Sequence, residues 1–137
     1  MPTDELRARY LRDKVMTATP AQRVVMLYDR LGLDLNLAAS NDDVAVRGGH
    51  LSHAMQVVTE LRGSLDLSAG GPAENLLGVY GYLLTELIAI RGGAVQKLPA
   101  VTQVVTELRG AWAQVADVTA AGANPAGRVS GAGAWVG

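Results

Sequence analysis

His50 and His53 stand three residues apart in a stretch that reads as helix, close to Asp42 and Asp43, and imidazole beside carboxylate is metal-ligand chemistry. A helical metal pair works when both ligands share a face and a facing helix supplies more. The chain has neither an HExxH nor a Glu-x-x-His element, so the pair reads as two surface or interfacial histidines. A histidine phosphotransfer bundle presents its histidine with a Lys and a small residue just downstream. Here His50 is followed at that spacing by His53 and Ala54, and His53 by Gln56 and Val57. A serine hydrolase needs a nucleophile elbow, and no GxSxG occurs. The glycine pairs beginning at Gly48, Gly70 and Gly92 lack the Lys-Ser/Thr of a phosphate loop and read as helix breaks or close-packing positions. The acidic residues suggest no paired-carboxylate acid–base site. The expectation is a protein that is not an enzyme, with no cofactor and no metal.

Composition narrows the class further. A chain of 137 residues, 49% hydrophobic, carries enough apolar material for one core and is short for two. Its formal charge of -1, without a basic run, argues against nucleic acid and against an anionic membrane surface. Cysteine is absent, which removes disulfides, thiolate metal sites and a thiol nucleophile and fits a reducing, cytoplasmic setting. Charges interrupt every apolar stretch near the N-terminus, so neither a secretory leader nor a membrane span is drawn, and a soluble protein without membrane insertion is expected.

The elements that must carry any site are helical. Aromatic residues are 4% of the chain with no Phe, Ala, Val and Leu dominate, and no long period-two alternation occurs. Residues 1–18 are polar and charged with Leu6, Tyr10 and Val15 as apolar anchors, and read as an arm that docks. Thr19 before Pro20 is a helix start, a side-chain acceptor followed by a residue with no N–H to satisfy. From there Val24, Leu27, Tyr28, Leu31, Leu35 and Ala38 recur at three and four, widened by Val25, Met26 and Leu33, until Ser40-Asn41-Asp42. A second run from Asp43 places Leu51, Ala54, Met55, Val58, Leu61 and Leu65 on one face. Ser68-Ala69-Gly70-Gly71-Pro72 breaks it, and a third run carries Leu76, Leu77, Tyr80, Leu83, Leu84, Leu87 and Ile88 up to Gly92-Gly93. A fourth, from near Pro99, carries Val101, Val104, Val105, Leu108, Trp112 and Val115. Beyond Val118 the chain turns to Ala and Gly without helical period. The fold expected is all-α: an antiparallel up-down four-helix bundle over residues 1–118, with the arm at 1–18 and a disordered Gly/Ala-rich tail at 119–137.

Gln56–Gly63 recurs unchanged as Gln103–Gly110, which admits either duplication of a helical hairpin or similar packing demands plus chance. The first and third helical runs hold more apolar residues than one core-facing stripe requires. The surplus is either a wide core, a partner site, or the seam of a self-associating scaffold or regulatory module.

Tyr10, then Val15-Met16-Thr17-Ala18-Thr19-Pro20 and Val24-Val25-Met26-Leu27-Tyr28-Asp29, resembles the opening signature of the flagellar secretion chaperone FliS family, a Tyr before V-x-T-A-x-P and M-L-Y-D-G. The succession continues through Leu61…Leu65-Asp66, Gly70-Gly71…Asn75-Leu76…Tyr80-Gly81-Tyr82 and Leu108-Arg109-Gly110-Ala111-Trp112. Arg30 stands where the family usually has Gly, Gly81 where it has an acidic residue, and Arg91-Gly92 where an Ala-Asn pair is common. The resemblance implies a cytosolic export chaperone. Such a protein binds the disordered C-terminal segment of flagellin, prevents premature polymerisation and delivers the subunit to the flagellar type III export gate, with a homodimer in the client-free state as an open alternative. It implies a client groove, for which we expect Tyr28, Leu51, Ala54, Val58, Leu61, Leu65, Leu76, Tyr80, Leu83 and Leu84, and an arm whose Tyr10 and Val15 serve groove cover and export-gate docking.

Overall fold

In the computed structural model the described residues are 2–121, and the side chains of residues 2, 14–16, 69 and 121 are not among what is described. Among the described residues there are five α-helices: α1 (Pro2–Thr17), α2 (Pro20–Ala39), α3 (Val44–Gly63), α4 (Pro72–Arg91) and α5 (Leu98–Ala121). Single 3-10 turns, Leu67–Ala69 and Val95–Lys97, lie in the two longer connections. The all-helical expectation holds for these residues. The flexible tail expected from residue 119 lies outside them except for Thr119–Ala121, which continue α5, with the Thr119 hydroxyl donating to the Val115 carbonyl at 2.8 Å.

Each helix begins and ends where local chemistry dictates. At α2 the Thr19 hydroxyl accepts the Gln22 N–H at 3.1 Å while the Gln22 side chain accepts the Thr19 N–H at 2.9 Å, and Pro20 occupies the first turn. At α3 the Asp43 carboxylate accepts the Val46 N–H at 3.0 Å. Gly70 and Gly71 take positive φ values of 67° and 43° to turn the chain into Pro72 and α4. Gly93, at φ 122°, turns it out again toward α5.

Helices α2 to α5 alternate in direction through these short connections. Helix α2 packs against α3 on one side and α5 on the other, α3 packs against α4, and α4 meets α5 over a smaller area. The residues turned inward follow the three-and-four rhythm: Ala21, Val24, Tyr28, Leu31, Leu35 and Ala38 from α2, and Ala73, Leu76, Tyr80, Leu83, Leu87 and Ile90 from α4. Leu51, Ala54, Val58 and Leu61 of α3 and Val101, Val105, Trp112 and Ala116 of α5 complete the interior.

Helix α1 differs from the docked arm expected of it. All its described side chains are exposed, including Leu6 and Tyr10, and it makes no substantial packing contact with the bundle. Asp4, Glu5, Arg7, Arg9, Arg12 and Asp13 are distributed around its circumference, which leaves no continuous apolar stripe to bury.

Candidate functional site

Eight of the ten residues expected to line a client groove are interior residues of the bundle. Leu51, Ala54, Val58, Leu61 and Leu83 have no exposed surface, and Tyr28, Tyr80 and Leu76 are buried beside them. Leu65 and Leu84 are half-buried and pack against the same core. The face of α3 and α4 that is most regularly apolar points inward, because four helices leave each one a single stripe with which to make the core. These positions therefore hold the bundle together and present no surface groove in this structure. Tyr10 is 65% exposed on α1, and Val15 lies in the same helix with its side chain outside the described residues.

The interior carries two polar constellations. The Tyr28 and Tyr80 hydroxyls meet at 2.7 Å between α2 and α4. Burial and then the neighbouring Tyr80 oxygen hold the Tyr28 hydroxyl protonated far above its usual range, and burial raises Tyr80 as well. Asp34 of α2 is 2% exposed, and its carboxylate accepts His53 Nδ1 of α3 at 2.5 Å. Arg30 lies one turn before it, with Nε 3.6 Å from the second carboxylate oxygen and the guanidinium also reaching His53 Nε2 at 3.5 Å. The Arg that replaces the family's usual Gly thus caps a buried carboxylate, and Arg91, at the other departure, donates to the Ser52 hydroxyl at 3.1 Å across the α3/α4 seam. His53 is a carboxylate partner, and no cluster of metal-ligating residues forms among the described residues.

Among the described residues, a surface feature with the dimensions of a binding site is the seam between α2 and α5. Three depressions follow one another along it. At one end a cavity of about 610 Å³ lies among Ala38, Ala39, Arg47, Leu98 and Pro99. The next, about 340 Å³, shares Asn36 with the first and is walled by Gly32, Leu33, Val105 and Thr106. The third, about 520 Å³, is walled by Val25, Met26, Ala113 and Ala116. The second and third join at Asp29 and Arg109, whose carboxylate and Nε meet at 2.8 Å across the seam. The Asp29 hydrogen bond and charge raise the Arg109 guanidinium further above its usual value. A helix of 20 residues extends about 30 Å, so the run of depressions spans the bundle.

Helix geometry makes this groove. Gly32 opens the wall of α2, and the small side chains Ala113 and Ala116 keep α5 low on the opposite side. Leu33, half-exposed on the outer face of α2, extends the apolar rim. The widened apolar stripe of the first helical run was the signal in the sequence for Leu33. No sequence signal joined Asp29 to Arg109, which lie 80 residues apart.

No described helix is long and apolar enough to cross a membrane. Comparison with protein families matches residues 3–119 to the family described as flagellar protein FliS. No curated protein gives a significant match.

Proposed function

The chain belongs to the FliS family of flagellar export chaperones, and from that membership we propose that it binds the C-terminal segment of flagellin along the α2/α5 groove. Binding there keeps the segment from polymerising in the cytoplasm until delivery to the type III export gate. The observation that carries the reading is the groove itself, a bundle-length seam with half-exposed Leu33 on its rim. A disordered segment that folds into a helix on such a surface gains apolar burial against its ordering entropy, and each half-exposed leucine it covers contributes about 1 kcal/mol. The result is affinity sufficient to hold and weak enough to release. Helix α1, with Tyr10 and Leu6 facing solvent, suits docking to the export gate.

Calorimetric titration with a peptide from the flagellin C-terminus of the same organism tests this. We expect saturable binding with a gain of helical circular dichroism, weakened at least about fivefold by Leu33→Asp. That position is half-exposed, so the variant keeps its fold, whereas a charge at Leu61 would unfold the bundle. Absence of wild-type binding would sink the reading.

A further inference from the structure

Apolar walls hold a helix without fixing where it sits. A client helix that slides by one or two turns presents nearly the same three-and-four stripe to the groove and buries nearly the same area. The α2/α5 groove contains an ion pair that breaks this equivalence. Asp29 and Arg109 meet at 2.8 Å at the junction of its second and third depressions, with Gly32, Leu33 and Val105 on one side and Val25, Met26 and Ala113, together with the polar Gln22, on the other. Both side chains are about half exposed, 56% and 46%, so water completes their solvation in the free protein. Asp117 stands on the wall of the third depression, close enough for its charge to act on Arg109.

We propose that the Asp29–Arg109 pair sets the register of the bound client helix by demanding a hydrogen-bond acceptor, a carboxylate or amide side chain, at the client position that crosses it. The inference rests on the α2/α5 groove being the client site. Laying a wholly apolar face over the pair strips water from two charges whose one mutual hydrogen bond does not satisfy them. A guanidinium has five N–H donors, and the Nε one is engaged by Asp29. An acceptor on the client replaces the lost water at Arg109 in one register. In every shifted register a leucine or valine covers the pair, and the desolvation is uncompensated. A single polar position inside a helix interface selects register in coiled coils for the same reason, at some cost in affinity. The client face therefore carries an acceptor where its apolar stripe crosses the pair.

The test is a set of double-mutant cycles. Each polar residue of the flagellin C-terminal peptide is replaced in turn by Leu, and each peptide is titrated into the wild-type protein and into Asp29→Leu with Arg109→Leu. The paired substitution leaves no lone charge, and the solvent exposure of both sites preserves the fold, checked by circular dichroism and melting. We expect one peptide position at which Leu weakens wild-type binding about tenfold or more and changes binding to the double variant by less than about threefold. Equal ratios for the two proteins at every position, or tighter wild-type binding by every Leu peptide, would overturn the register role while leaving the client reading intact. No binding of the parent peptide to the wild-type protein would overturn both.

Discussion

The Tyr28–Tyr80 hydroxyl pair carries an alkaline pH signature. Burial disfavours the phenolate of both, and for Tyr28 the adjacent Tyr80 oxygen adds to it, so the folded state keeps protons above the ordinary tyrosine value of 10.0. The unfolded chain releases those protons near pH 10. Below that pH both states hold the same protons and the pair contributes no pH dependence. Above it the unfolded state binds fewer, so stability falls as pH rises, by up to about 1.4 kcal/mol per pH unit for each hydroxyl. Urea midpoints measured from pH 8 to 11 should therefore be steady and then drop beyond about pH 10. The drop should be much shallower in Tyr28→Phe with Tyr80→Phe, which removes both hydroxyls; the bond between Tyr28 and Trp112 is lost with them, which lowers the midpoints at every pH and leaves the alkaline slope as the readout. Equal alkaline slopes in the two proteins would assign the loss to other groups. Asp34 is the other polar intrusion, and its solution differs: the buried carboxylate finds its partners in His53 and Arg30. Both constellations tie α2 to a neighbour at one register, which apolar packing alone specifies less sharply.

Helix α2 is the element on which the rest depends, since it touches both α3 and α5 and forms one wall of the groove. Its start is fixed by the reciprocal Thr19–Gln22 bonds, so Thr19→Ala leaves two first-turn N–H groups without their side-chain partners or the geometry that holds them. The expected loss is about 1 kcal/mol, read as a lower urea midpoint with an unchanged slope. Thr19→Asp should restore most of it, since a carboxylate also accepts the N–H and favours a helix N-terminus; an unaffected Thr19→Ala would show the cap to be dispensable. That start was readable from Thr19-Pro20, as were the breaks at Gly70-Gly71 and Gly92-Gly93, because capping and positive φ are local demands written in single residues. The client face was not readable in the same way. Periodicity reports which face of a helix is apolar, and in a four-helix bundle the most regular face is the interior. Leu51, Leu61 and Leu83 therefore looked like a groove and are core, while Leu33 looked like a widening of the core stripe and is rim. The repeated Gln-Val-Val-Thr-Glu-Leu-Arg-Gly segment shows the same limit. Val58 and Val105 are both buried, yet Leu61 is fully interior where Leu108 is half-buried, and Arg109 crosses to Asp29, because α3 and α5 have different neighbours.

For the molecule as a whole, the bundle and the arm are held by different physics. The bundle buries leucines from four helices, whereas α1 exposes all its described side chains and makes no substantial contact. A helix of 16 residues without packing is marginal in water, since nucleation is costly and only propagation offsets it. The arm is thus the least stabilised helix, and its free energy of opening is close to zero while that of α2 approaches the global value. Two outcomes follow from that separation. Amide exchange should be near the unprotected rate throughout residues 3–17 and slowest at the interior positions of α2, such as Leu31 and Leu35. Deleting residues 1–16, which keeps the groove-lining Thr17, should lower the melting temperature by no more than about 2 °C, which corresponds to well under 1 kcal/mol for a chain of this size. It should also leave client binding along α2/α5 within about threefold, because neither Leu6 nor Tyr10 lines the groove. A larger drop in melting temperature would mean that α1 packs on the bundle in solution. A gain in client affinity on deletion would mean that the arm competes for the groove, and that its exposed Leu6 and Tyr10 are covered part of the time by the same walls that receive the client.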